Sequence, residues 1–213
     1  MAPAACPGMS TIRSCWLVGL LAACAGPTAE DGEGPGGKAD GAISESDFWG
    51  DGTMYFVRIA NWDSSRMTPD RLADEVAVEG SEVRIYRLDP DNPNHCPDGD
   101  VGNADMVFTT RDFTVRTSGN LTNGTPKSSY KIGLENEDER LYDMRSLNLK
   151  SMWNDVSQMR EALTWSLMRQ AGVPAPRHTY ARLCINDRYY GLYSMIEQVD
   201  KAFVNTAFGT TND

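Results

Sequence analysis

Apolar and polar residues alternate strictly through residues 82–88 (EVRIYRL), and residues 54–60 (MYFVRIA) have the same strand-forming composition. Shorter runs at 113–116, 130–134 and 146–149 predict further strands, with loop character between Ser118 and Lys127. Thr68-Pro69-Asp70 joins a capping residue, a proline suited to the first helical position and an acid favoured there, so a short helix is expected to start at this point. The clearest helical pattern covers residues 156–171. Val156, Met159, Leu163 and Leu167 form one apolar stripe, Asp155 can cap the start, and Gly172 and Pro174 end it. Residues 179–185 and 189–196 then read as a hairpin about Asn186-Asp187, and Asp200 caps a last helix over 201–208. Strands, one main helix, then a hairpin predict an α+β fold built on an antiparallel sheet.

The ends of this pattern carry a different message. Residues 15–23 (CWLVGLLAA) are apolar, follow the basic Arg13, and are too short to span a bilayer, which is the form of an export signal over residues 1–23. Leu21-Ala22-Ala23-Cys24 resembles the bacterial lipobox, in which the cysteine thiol receives a diacylglycerol. Cys24 is therefore the expected lipid anchor, and the protein is expected in the cell envelope, held to a membrane outside the cytoplasm. Residues 24–47 are rich in glycine, proline and acid and read as a flexible tether, with the folded domain expected over 48–213. Removal of the signal and lipidation of Cys24 leave Cys96 and Cys184, two thiols that can pair in an oxidising compartment.

The formal net charge of −10 argues against a nucleic-acid partner. The chain has no HExxH, GxSxG, paired CxxC or GxxxxGK[ST] pattern, and its two histidines, His95 and His178, lie in separate segments. A histidine-based nucleophilic triad is not expected. The loop over residues 89–105 offers oxygen ligands from Asp98, Asp100, Asn103 and Asp105, but their spacing is not that of an EF-hand.

Three stretches remain: SGNLTNGTPKSSYKI, SLNLKSMWNDVSQMREALTWSLMRQAGVPAPRHTYARLCIND and RYYGLYSMIEQVDKAFV. Their Gly119-Asn120 turn, Asn154-Asp155, AGVPAP, YGLY and EQVD closely resemble the CotH kinase family, named for a spore-coat protein. The resemblance implies the N-terminal lobe of a protein-kinase-like fold, with ATP and magnesium as cofactors and a protein as phosphoryl acceptor. In the kinase scheme a strand lysine holds the nucleotide phosphates and a helix glutamate holds that lysine. Lys131, on the SYKI strand, is the expected phosphate ligand, Glu161 its partner, and Glu197 a hinge residue near the adenine. Ser118 stands where the family commonly has arginine. The catalytic and magnesium-binding aspartates of the scheme belong to a second lobe, so residues 48–213 are expected to be the N-terminal portion of a longer, truncated kinase, inactive alone, and no catalytic residue is assigned. The competing expectation is a non-catalytic surface module that binds a protein or another envelope component.

Overall fold

A computed structural model describes residues 43–50, 52–63, 81–88, 96, 106–119 and 125–209, and the backbone of 36–37 and 76–77. The signal, Cys24, the helix expected at Thr68, His95 and the oxygen-rich loop apart from Cys96 lie outside the described residues. In chain order the elements are β1 (Gly36–Gly37), α1 (Glu45–Phe48), β2 (Met54–Ala60), β3 (Val76–Ala77), β4 (Glu82–Arg87), β5 (Met106–Thr110), β6 (Phe113–Ser118), β7 (Ser129–Leu134), β8 (Ser146–Lys150), α2 (Arg160–Gln170), β9 (His178–Ile185), β10 (Arg188–Glu197) and α3 (Lys201–Phe208). The fold is α+β, as expected, and none of these helices is long and apolar enough to cross a membrane.

All ten strands join one sheet, in the order β1-β5-β4-β2-β9-β10-β8-β7-β6-β3. Every pairing is antiparallel except β2 with β9, which runs parallel from Met54 opposite Tyr180 to Ile59 opposite Ile185. A parallel pair needs a long crossover, and here most of the chain intervenes between the two strands. Only Arg111 and Asp112 separate β5 from β6, yet these strands lie near opposite ends of the order. Two extended residues reach roughly 7 Å. The sheet must therefore curl until its two ends meet. One hydrophobic cluster fills the enclosed side, uniting Tyr55, Val57, Ile85 and Phe108 from one half with Phe113, Ile132, Leu149 and Tyr193 from the other.

The β9–β10 hairpin turns on Asn186 and Asp187, with φ of 48° and 64°. Asn and Asp tolerate this left-handed conformation, as a two-residue hairpin turn requires. The turn is pinned from outside: Asn186 Oδ1 accepts from Trp62 N at 2.8 Å and Asp187 pairs with Arg58 at 2.5 Å. Further along, β10 shifts register between Tyr189 and Gly191. Gly191 has φ +129°, and a Cβ there would meet Lys127 Cε at 3.0 Å, so a side chain at this position meets backbone strain and a tight contact with the lysine. Lys127 donates to Leu192 O and lies 4.5 Å from the Tyr193 ring centroid. Burial pushes its ammonium pKa down.

Three expectations need correction. Ordered structure begins inside the stretch read as a tether. Gly36 and Gly37 pair with β5, Ser44 Oγ caps α1 by accepting from Asp47 N at 3.1 Å, and Ile43 packs on the core. The strand β5 was not expected at all; it is five residues long and follows directly on a stretch of sequence dense in Asp, Asn, Pro and Gly. The main helix starts at Arg160, four residues later than its apolar pattern suggests. Asp155 takes the Ser157 N–H at 3.1 Å, the Ser157 hydroxyl at 2.6 Å and the Arg160 N–H at 2.8 Å. That tight turn places Gln158 at φ +54°, a conformation no helix interior admits.

The structure joins Cys96 to Cys184 as a disulfide, with Cα atoms 6.0 Å apart and 88 residues of separation. Cys184 is fully buried in a second, smaller cluster with Phe56, Tyr86 and Leu88. Closing a loop of that length stabilises the fold by roughly 4 kcal/mol in the chain-entropy model.

Candidate functional site

The strands β7, β8 and β10 present two unlike faces. Tyr130, Ile132, Leu147, Leu149, Tyr193 and Met195 point into the core. On the other face, Lys131 lies opposite Asn148, and Lys150 lies opposite Ser194. Alternation along β8 (SLNLK) explains the split, since Asn148 and Lys150 are two residues apart and share a face. Helix α2 lies against β9 beside this polar face, and its N-terminal end borders a cleft of about 660 Å³. Ser118 and Gly119 at the end of β6, Lys150 and Ser151 at the end of β8, and Asp155, Arg160 and Glu161 at the start of α2 line it. Gly119 has φ +96°, so the turn that follows β6 uses the conformational freedom of glycine.

Lys150 Nζ donates to Ser118 Oγ at 3.2 Å. Glu161 enters from α2, half-buried, with Oε2 screened from solvent and without a hydrogen-bond partner. Burial raises its carboxyl pKa, while Ser194 and then Lys150 pull it back and Asp155 adds a weaker rise. Ser194 is itself fully buried, and its hydroxyl lies against Glu161 without a hydrogen bond of full geometry. Asp155 behaves oppositely. The hydrogen bond from Ser157 holds its carboxyl below the usual range, against some desolvation and with help from the Arg160 N–H and guanidinium. It is a buried cap that fixes where α2 begins.

Of the residues singled out from the sequence, the structure brings Glu161 into this cleft and not Lys131. Lys131 sits one strand over, opposite Arg116 and Asn148. The lysine beside Glu161 is Lys150, which sequence reasoning left just past the end of the strand expected at 146–149. The signal that finds it is strand order: counted from the strand before the glycine turn, β6 and β7 come first and second, β8 third, and α2 follows at once. Glu197 is committed elsewhere. Its two oxygens accept from Arg177, Oε2 from N at 3.1 Å and Nε at 3.0 Å, and Oε1 from Nη2 at 2.6 Å. Arg177 also reaches Glu45 at 2.7 Å and lies over the Trp49 ring, so this carboxylate locks α1 to the hairpin.

The apolar stripe read along α2 lies on its outer side: Val156, Met159, Leu163 and Leu167 are exposed, and Leu167 is 68% accessible. The helix turns Glu161, Ala162, Trp165 and Ser166 toward the sheet instead. The face it meets carries Lys150, Ser194 and His178, so its apolar stripe has no core to enter. His178 Nε2 is buried without a hydrogen-bond partner, and burial, with Arg169 nearby, depresses its pKa to about 4.

A sheet with a helix laid on its polar face and a cleft at the helix start is an arrangement suited to holding an anion between a lysine and a glycine turn. The family model described as CotH kinase protein matches residues 115–213, from β6 through α3, and bears out the resemblance read from the sequence. No curated protein matches the chain.

Proposed function

We propose that residues 115–213 form a kinase-type nucleotide-binding lobe in which the cleft takes the phosphates of ATP on Lys150, with Glu161 orienting that lysine. The carrying observation is that Lys150 of β8 and Glu161 of α2 line one cleft beside a glycine turn. The kinase scheme puts its phosphate lysine on the third strand, after a glycine-rich loop between the first two, and the paired glutamate on the next helix. The order β6-turn-β7-β8-α2 supports that reading, as does the antiparallel run β6-β7-β8-β10-β9. The cleft is large enough for phosphates and its lysine suits them, while the unpartnered Glu161 carboxylate oxygen is an acceptor suited to that lysine's ammonium. Magnesium fits less well: among the described residues no three His, Cys, Asp or Glu side chains gather as ligands, and no step here runs through the metal. The scheme's catalytic and metal-binding aspartates are not assigned in this chain.

Calorimetry with ATP and magnesium tests the assignment. Lys150→Met should weaken binding roughly tenfold or more, the scale of a lost charge-assisted contact, while Lys131→Met should leave it within about twofold. The opposite ranking would return the phosphate site to Lys131. No heat with the unaltered chain at millimolar ATP would end the nucleotide reading. The exposed α2 stripe would then favour the second reading, a module that binds another protein.

We also propose that the lobe works outside the cytoplasm on a lipid anchor at Cys24. The signal-like start and the Cys96–Cys184 disulfide both support this. Two or more acyl chains hold a protein firmly at a bilayer. The mature protein should begin at a lipidated Cys24, and Cys24→Ser should leave an unprocessed precursor. An intact mass with an unmodified residue at that terminus would refute the anchor.

A further inference from the structure

Lys150 shares the cleft with two acceptors. One is the neutral hydroxyl of Ser118, which receives its hydrogen bond at 3.2 Å. The other is the Glu161 carboxylate, whose Oε2 is buried and unpartnered although Lys150 is close enough to act on it electrostatically. A buried carboxylate oxygen without a partner is costly, and an ammonium is the group best able to satisfy it. An ammonium on a four-carbon stem can swing between two such positions. Ser118 is well placed to hold one of them, since it is the last residue of β6 and precedes the left-handed Gly119.

We propose that Ser118 is a positioning residue for Lys150: its hydroxyl competes with Glu161 for the ammonium and so tunes how strongly the cleft takes phosphate. The inference rests on the proposed phosphate site for its functional meaning, but the competition itself is a property of the protein alone. When Lys150 sits on Ser118 it is drawn toward the glycine turn and Glu161 is left uncompensated. When it sits on Glu161, the Lys150–Glu161 pair is formed and the ammonium is oriented for an anion. Any phosphate that needs the second arrangement must first break the first.

Removing the hydroxyl therefore has a sign opposite to that expected of a ligand contact. Ser118→Ala should tighten ATP binding about threefold to tenfold, the scale of one net hydrogen bond. Ser118→Thr, which keeps the hydroxyl, should bind like the unaltered chain. The second readout needs no nucleotide. The Glu161 carboxyl, followed by carbon NMR in the full chain and assigned with Glu161→Gln, should titrate at lower pH in Ser118→Ala than in the unaltered protein, because Lys150 moves onto it. The other charged or titratable groups that bear on Glu161, Asp155 ahead of α2 and Tyr180 on β9, are unchanged by the substitution. Lowered Glu161 titration with tighter binding supports the proposal. An unmoved Glu161 overturns it, and weaker ATP binding in Ser118→Ala also overturns it by making the hydroxyl a ligand contact. If the unaltered chain binds no ATP, the nucleotide reading falls, and the Glu161 titration still decides the competition by itself.

Discussion

The two faces of β7, β8 and β10 are made from the same strands, residue by alternate residue, and they are built to different rules. The inner face is apolar and closed: Ile132, Leu147, Leu149 and Met195 have no accessible surface. The outer face carries Lys131, Asn148, Lys150 and Ser194, and above it α2 brings two polar atoms that find no hydrogen-bond partner, Glu161 Oε2 and Trp165 Nε1. Buried polar groups are nearly always satisfied, so a concentration of exceptions marks a surface not optimised for stability. The inner face holds the fold, and the outer face leaves polar atoms unsatisfied.

The contrast is broken most severely from the inside. Leu149→Ala should cost about 3 kcal/mol, the usual scale for truncating a closed leucine site, read as a fall in the urea midpoint. A cost below roughly 1 kcal/mol would mean that the core is looser than its burial implies.

On the outer face the expected effect is smaller and depends on pH. The pKa of His178 is lowered to about 4 in the folded protein from an ordinary 6.5. Between those values the unfolded chain binds the proton and the native protein does not, so stability falls as the pH drops from about 6.5 toward 4 and levels off below. His178→Asn should flatten that part of the pH–stability curve. A curve unchanged by the substitution would show that the imidazole titrates normally.

The smallest effect belongs to the outermost surface. Leu163→Ser on the exposed stripe of α2 should change stability by less than about 0.5 kcal/mol beyond helix propensity. A loss like that of Leu149→Ala would show that the stripe is covered in solution.

How much of this was legible depends on the range of the force involved. The strands at 54–60, 82–87, 129–134 and 146–150 follow from alternation and β-branched or aromatic composition. The last helix, Lys201–Phe208, was legible to the residue, because Asp200 caps it through Ala202 N at 2.9 Å and Phe203 N at 3.2 Å. The start of α2 was not, since the Asp155 turn is a side-chain competition that periodicity does not register. The site divided in the same way. Glu161 could be placed near a lysine from the resemblance alone, but Lys131 and Lys150 are both strand lysines near the glycine turn. Strand order along the chain favours Lys150, and the pairing register separates the two in space by setting Lys150 opposite Ser194.

The sequence by itself determined the local elements, the α+β class, the export-like start and the family resemblance, because each is written in neighbouring residues. Tertiary structure alone decided which end of the sheet meets which, and that the apolar stripe of α2 faces outward. It also decided that Glu197 serves Arg177 while Glu161 and Lys150 line one cleft. Those outcomes depend on contacts between residues distant along the chain, where the geometry of the sheet, and not the preference of any segment, selects the partner.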